Sequence, residues 1–188
     1  MPKLGVIFKW LLLIWGAVSL VAVCGMAVMM AYDMRMFGST QSRAKKDKAT
    51  TRDVRFVLNG CQLGEAKTEK VIRSYKSERS FTGDHVDLYS IKIKPVDLAQ
   101  LEAPPSAFGE GWVRGDRANP VIRDAVKMAT GFMDTGELRW FPPEDELLSQ
   151  HYYIWALSIY LHGSRPTAAE LIFISPEDDM VFFAGIKY

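Results

Sequence analysis

Four groupings in the sequence invite chemistry. Asp84-His85-Val86-Asp87 sets an imidazole between carboxylates, a combination used for metal ligation or general-base work. On a strand His85 and Asp87 would share a face, but two ligands do not make a site, and no second cluster carries metal-ligand spacing. A solvated loop and strand end is therefore the expected setting of His85. The other histidines, His151 and His162, bracket one apolar run, and eleven strand steps would hold them about 36 Å apart, too far for one constellation.

The second grouping, Gly109-Glu110-Gly111-Trp112-Val113-Arg114-Gly115, has the glycines of a phosphate loop but not their spacing. The dinucleotide fingerprint needs its third glycine three residues after the second, between a strand and a helix. Here the gap is four and a proline-rich stretch precedes it. Arg114-Gly115-Asp116, also an adhesion tripeptide, is expected to be a turn. The remaining groupings are acidic, Glu144-Asp145-Glu146 and Glu177-Asp178-Asp179. The second falls at a hairpin tip without the glycine and twelve-residue frame of a calcium loop, so both triplets are expected to be solvated turns. The chain has no Gly-x-Ser-x-Gly elbow, and Cys61 has no context of a catalytic thiol. No cofactor, metal or catalytic residue is expected.

What these residue types support is recognition. Aromatic side chains concentrate near predicted loops in Ala107–Trp112, in Trp140-Phe141-Pro142-Pro143 and in Tyr152-Tyr153. Aromatics dominate binding hot spots, although they are also ordinary core residues. The candidate partner-binding residues are Trp112, Trp140 and Phe141 with the acids Glu144, Asp145, Glu146, Glu177, Asp178 and Asp179, which suit a basic partner. Residues 56–188 hold fourteen Lys and Arg against nineteen Asp and Glu, which disfavours nucleic acid.

These residues sit in a chain of uneven composition. Of 188 residues 48% are apolar, 24% charged and 12% aromatic, which excludes wholesale disorder, a collagen-like fibre and a disulfide-dense mini-protein. Residues 1–32 contain two charges, Lys3 and Lys9. Trp10–Tyr32 runs 23 residues without one, and as a helix it would reach about 34 Å across a hydrocarbon core of roughly 30 Å. Trp10, Trp15 and Tyr32 are placed for the two interfaces. The run is longer than a cleavable signal core, and Gly25-Met26-Ala27 is a poor cleavage site inside it. Cys24 follows Val23 where a lipoprotein signal wants a small residue. An uncleaved membrane anchor is expected, with residues 1–9 as a short tail.

Residues 33–55 carry seven Lys and Arg against three acids, and a positive-inside count over them would keep the downstream domain in the cytoplasm. Only Arg35 lies close to the membrane, however, and long domains cross largely regardless of charge. The positive N-terminal region also favours keeping the N-terminus inside. The expected location is the cytoplasmic membrane, single-pass, with an extracytoplasmic domain. Residues 33–52 read as a solvated basic tether, and a single thiol in the domain gives no redox clue.

Residues 53–188 are expected to form an α+β domain, a mainly antiparallel sheet with two helices on one face. Val54–Leu58 alternates as a strand, and Glu65–Ser77 has the stripe Val71, Ile72, Tyr75 of a surface helix. Val86–Lys94 alternates with Tyr89, Ile91 and Ile93 on one face. Asn119-Pro120 opens a helix with the stripe Ile122, Ala125, Val126, Ala129, Phe132 and Met133, stopped by Gly136. Leu138–Phe141 reads as a short strand. Tyr152–Leu161, Glu170–Ser175 and Met180–Ile186 follow as a meander, the first apolar on both faces as a central strand would be. The sequence thus implies a membrane-anchored module that binds a protein stoichiometrically, such as an immunity or inhibitor protein against a secreted effector. The alternatives are a structural or adaptor subunit of an envelope or secretion assembly, and an enzyme using Asp84, His85 and Asp87.

Overall fold

The computed structural model describes Trp15, Ser19 and residues 49–104, 111–131, 133 and 136–188. The chain divides into two compact units, Met1–Ala44 and Lys45–Tyr188. The expected membrane anchor Trp10–Tyr32 and most of the tether lie outside the described residues, apart from Trp15 and Ser19. Among the described residues no helix is long and apolar enough to cross a membrane.

In the second unit, helix α1 (Thr51–Gly60) leads into strands β1 (Thr68–Lys76) and β2 (His85–Ile93). A short helix α2 (Leu98–Leu101), strand β3 (Val113–Arg114), helix α3 (Pro120–Thr130) and short helix α4 (Glu144–Leu147) follow. Strands β4 (Tyr153–His162), β5 (Arg165–Ser175) and β6 (Met180–Lys187) close the chain. The six strands form one sheet in the order β1-β2-β6-β5-β4-β3, with every neighbouring pair antiparallel. The α+β class and the antiparallel sheet are as the sequence implied, and four α-helices occur among the described residues.

The helices cover both faces of the sheet, not one. Ile122, Ala125, Val126 and Ala129 of α3, with Leu147 of α4, pack on Leu88, Ile154, Leu171, Phe173, Phe182 and Ala184. Val54, Val57 and Leu58 of α1, with Leu101 of α2, pack on Tyr89, Ile91, Trp155, Ile172, Ile174, Val181 and Phe183. The reason lies in the central strands. Leu171–Ser175 of β5 and Val181–Ile186 of β6 are buried throughout, so each face needs an apolar layer over it.

Two segments exchange their expected forms. Val54–Leu58 is helical because Val54, Val57, Leu58 and Cys61 stand at i, i+3, i+4 and i+7, all buried, whereas Phe56 is half exposed. Thr50 caps the helix: its hydroxyl accepts from the Asp53 N–H while the Asp53 carboxylate accepts from the Thr50 N–H at 2.7 Å. The same carboxylate accepts from Lys76 Nζ at 2.8 Å, fastening α1 to β1, so the last residues of the expected tether belong to the folded unit. Glu65–Ser77, expected as a helix, is a 3₁₀ turn followed by β1. Register shifts between Thr68 and Lys70 and between Val71 and Arg73 break its two-residue period. Thr68, Val71 and Ser74 consequently turn inward at a three-residue spacing, which imitates a helix.

Helix α3 has the expected cap, with Asn119 Oδ1 accepting from the Ile122 N–H at 2.9 Å, but it stops at Gly131 rather than Gly136. Leu138–Phe141 forms turns and bends instead of a strand. Strand β4 is not central: the two residues of β3 pair only with Tyr153 and Ile154, and its far end from Tyr160 is exposed.

Gly115 joins the α3–α4 region to β4. Its N–H donates to the Tyr152 carbonyl at 2.8 Å, and a Cβ there would stand 2.3 Å from the Leu147 carbonyl oxygen and 2.6 Å from that of Ser149. Backbone cannot yield as a side chain does. Gly115→Ala is expected to destabilise the domain by about 1–3 kcal/mol in urea denaturation, and an unchanged midpoint would show that the close approach is not a constraint.

Candidate functional site

The two acidic triplets meet at one end of the sheet. Helix α4 begins after Pro143 and puts Glu144, Asp145 and Glu146 in its first turn, while Leu147 is fully buried and pins it to the core. The β5–β6 turn carries Glu177, Asp178 and Asp179, and the strand pairing sets it beside the end of β2, where the Ile93 N–H donates to the Asp179 carbonyl at 2.9 Å. Tyr152 and His151, just before β4, stand between the triplets. The Tyr152 hydroxyl donates to Glu146 Oε1 at 3.0 Å, and His151 Nδ1 lies 3.4 Å from Glu177 Oε2.

Several of the acids are fixed by neighbours. Ser175 Oγ donates to Asp178 Oδ2 at 2.8 Å. Lys92 Nζ donates to the Asp178 carbonyl at 2.7 Å and lies 3.5 Å from Asp179 Oδ2. Asp179 itself takes a φ of 50°, a backbone conformation that Asp tolerates better than most residues. Glu144 and Asp145 accept no side-chain hydrogen bond among the described residues. They edge a groove of about 820 Å³ whose other sides include Arg123, Arg139 and Met133. Burial, then the hydrogen bond to Glu146 and the charges of Glu146 and Asp178, push the Tyr152 phenol above the usual tyrosine value. The result is a surface of fixed and free carboxylates around one buried tyrosine.

The expected aromatic contacts divide. Trp112 is 8% exposed and meets Trp155 edge-on at 5.5 Å, which makes it a core residue. Phe141 is 3% exposed and packs edge-on against Phe173 at 6.1 Å and Phe182 at 5.6 Å. Trp140 is half-buried and lines a separate groove beside β1 with Val71, Tyr75 and Glu137. Trp112 and Trp140 stand apart from the acids, and Phe141 reaches only the floor of the groove that Glu144 and Asp145 edge. Tyr152, His151 and Ser175 organise the acidic end; Tyr152 stood in the Tyr152-Tyr153 aromatic pair without being named as a contact, and His151 and Ser175 belonged to no motif. For His151, only its adjacency to a predicted strand start was a signal.

At the opposite end of β2, Asp84 is drawn into its own turn, where Thr82 donates to its carboxylate; that hydrogen bond keeps the carboxyl below its usual value. Arg79 lies between the other two groups, with Nη1 3.4 Å from His85 Nδ1 and Nη2 3.5 Å from Asp87 Oδ2. Burial pushes the Asp87 carboxyl up against the pull of His85, Arg79 and Lys76. Among the described residues no group of three or more His, Cys, Asp or Glu is placed to hold a metal ion. The buried Cys61 thiol is pushed up to about 12 by desolvation, far from the thiolate that a nucleophile needs.

No family model, curated protein or solved structure matches the chain. The reading of the site therefore rests on its own chemistry.

Burial also pushes the Tyr89 phenol up to about 12, with the charge of Asp87 adding to it. A tyrosine raised in the folded state contributes stability that is complete below its unfolded value near 10 and is lost as pH climbs toward its folded value. The urea midpoint is expected to hold to about pH 10 and to fall between about pH 10 and 12. Tyr152→Phe is expected to lower stability by about 0.5–1.5 kcal/mol at neutral pH and to reduce the alkaline loss. A pH profile identical to the parent's would mean that Tyr152 carries none of it.

Proposed function

We propose that this chain is a single-pass membrane-anchored recognition module that binds a basic protein partner through the acidic end of its α+β domain. It acts by stoichiometric binding rather than catalysis, as an immunity or inhibitor protein against a secreted effector would. The anchor is Trp10–Tyr32 in the cytoplasmic membrane, and the domain lies on the extracytoplasmic side. The observation that carries the reading is the meeting of Glu144–Glu146 with Glu177–Asp179 around Tyr152 and His151. Two acidic runs far apart in sequence form one surface there, and Glu144 and Asp145 are left for an incoming cation among the described residues. Such a surface steers a basic partner and rejects an acidic one. The hydrogen bonds of Tyr152 to Glu146 and Ser175 to Asp178, with the Lys92–Asp179 ion pair, hold three of the carboxylates before binding, which lowers the ordering required on association.

The test begins with protease accessibility of the C-terminus in intact cells, spheroplasts and lysates, where digestion first in spheroplasts is expected. Capture with the full chain then compares the parent with a Glu144→Lys, Asp145→Lys, Glu177→Lys variant. The variant is expected to bind the captured protein at least about tenfold more weakly, and parent binding is expected to fall with salt. Capture of the same protein by parent and variant alike would remove the acidic end from the reading.

A further inference from the structure

We propose that the other end of the sheet rests on a lipid bilayer, with the ring of Phe81 entering the interface. Tyr160, Ala168, Lys187 and His85 are successive partners across β4, β5, β6 and β2, so they mark one transverse row at this end. The β1–β2 hairpin tip lies just beyond His85. Phe81 at that tip is fully exposed, Tyr160 is 65% exposed and its neighbour Leu161 47%. Arg79, Arg165 and Lys187 are exposed at the same end.

The hairpin tip is built to hold Phe81 outward. The Gly83 N–H donates to the Ser80 carbonyl at 2.9 Å and the Asp84 N–H to Ser80 Oγ at 2.9 Å. The Ser80 N–H donates to the Asp84 carbonyl at 3.0 Å, and Gly83 takes a φ of 81° that closes the turn. Lys187 Nζ donates to the Thr82 carbonyl at 3.2 Å, tying the tip to the end of β6. A phenylalanine wholly in water on a loop so closely bonded is available for burial without further ordering.

Lipid is the occupant that fits this layout. Phe81 and Tyr160 stand on opposite sides of β6 and β5, at least about 14 Å apart at 4.8 Å per strand step. A protein hot spot gathers its rings into one desolvated centre, whereas a bilayer surface accepts aromatic side chains spread along a line. Aromatic rings beside Arg and Lys are the composition of a membrane interface. The charges differ between the ends: this end balances Arg79, Arg165 and Lys187 against Glu78, Asp84 and Asp87, whereas the other end gathers six carboxylates against Lys92, Arg123 and Arg139, and that excess would be repelled by anionic headgroups. The domain would therefore stand with Phe81 toward lipid and its acidic end away from it.

The experiment uses the full chain in vesicles of phosphatidylcholine with added phosphatidylglycerol, carrying a benzophenone amino acid in place of Phe81 or, as control, of Glu177. After irradiation, position 81 is expected to give at least about ten times more lipid adduct than position 177. Equal adduct at the two positions overturns the inference, as does adduct at position 81 to protein alone, which would identify Phe81 as a protein anchor. A chain that fails to sediment with the vesicles overturns this inference and the membrane anchor together. Sedimentation with no lipid adduct at position 81 overturns this inference alone and leaves the binding reading standing. Phe81→Ser is expected to leave the melting temperature unchanged, because the ring contributes nothing to the core.

Discussion

From Leu171 to Ser175 and from Val181 to Ile186 the two central strands bury every residue, so neither face of the sheet can meet water and each must be covered. The placing of the helices follows from that constraint. Helix α3 lies over one face with its Ile122, Ala125, Val126 and Ala129 stripe, and α1 lies over the other with Val54, Val57 and Leu58. An antiparallel sheet with one wet face would need only one such layer. The doubled layer also decides where polar chemistry can occur. With both faces occupied, carboxylates and exposed rings are pushed to the strand ends and the outer strands, where they can be solvated without burying an unpaired charge.

The parts of this arrangement that the sequence made legible are those with local signals. Asn119-Pro120 and the α3 stripe announce a helix because cap, first-turn proline and apolar spacing agree. The runs that became β2, β5 and β6 were legible for the same reason, being apolar and bounded by turn residues. The segment around Val54 failed because three apolar residues at even spacing satisfy a strand as well as the i, i+3, i+4 set satisfies a helix. What decides it is the Thr50–Asp53 cap, a feature one step upstream of the apolar run. The segment around Val71 failed for the converse reason. Irregular pairing in β1 gives a strand the inward period of a helix, and nothing in the segment itself reports where the register slips.

The site was half legible. All six acids could be named from their clustering, but their meeting depends on facts that no local pattern carries. The β5–β6 turn comes to the end of β2 because β6 pairs with β2, a strand about ninety residues away in the chain. Helix α4 reaches the same end because Gly115 lets the Leu147 and Ser149 carbonyls approach its backbone. Trp112 and Phe141 misled for a related reason: an aromatic next to prolines and glycines looks like a loop residue, while its ring turns inward to fill the space between layers.

The same strands that bury the core also separate the two ends. Antiparallel pairing puts the Pro176–Asp179 turn beside Lys92 at one end of β6 and Lys187 beside His85 at the other, so eight residues of rigid strand, roughly 25 Å, divide them. A group bound at the acidic end cannot reach Arg79 or Phe81, and a surface met by Phe81 cannot neutralise Glu144 or Glu177. Because screening acts within about 10 Å at moderate salt, each end presents its own potential to its surroundings. The sheet is thus a spacer as well as a core. It allows one end of the domain to be committed to a surface while the carboxylates at the other remain in water and available.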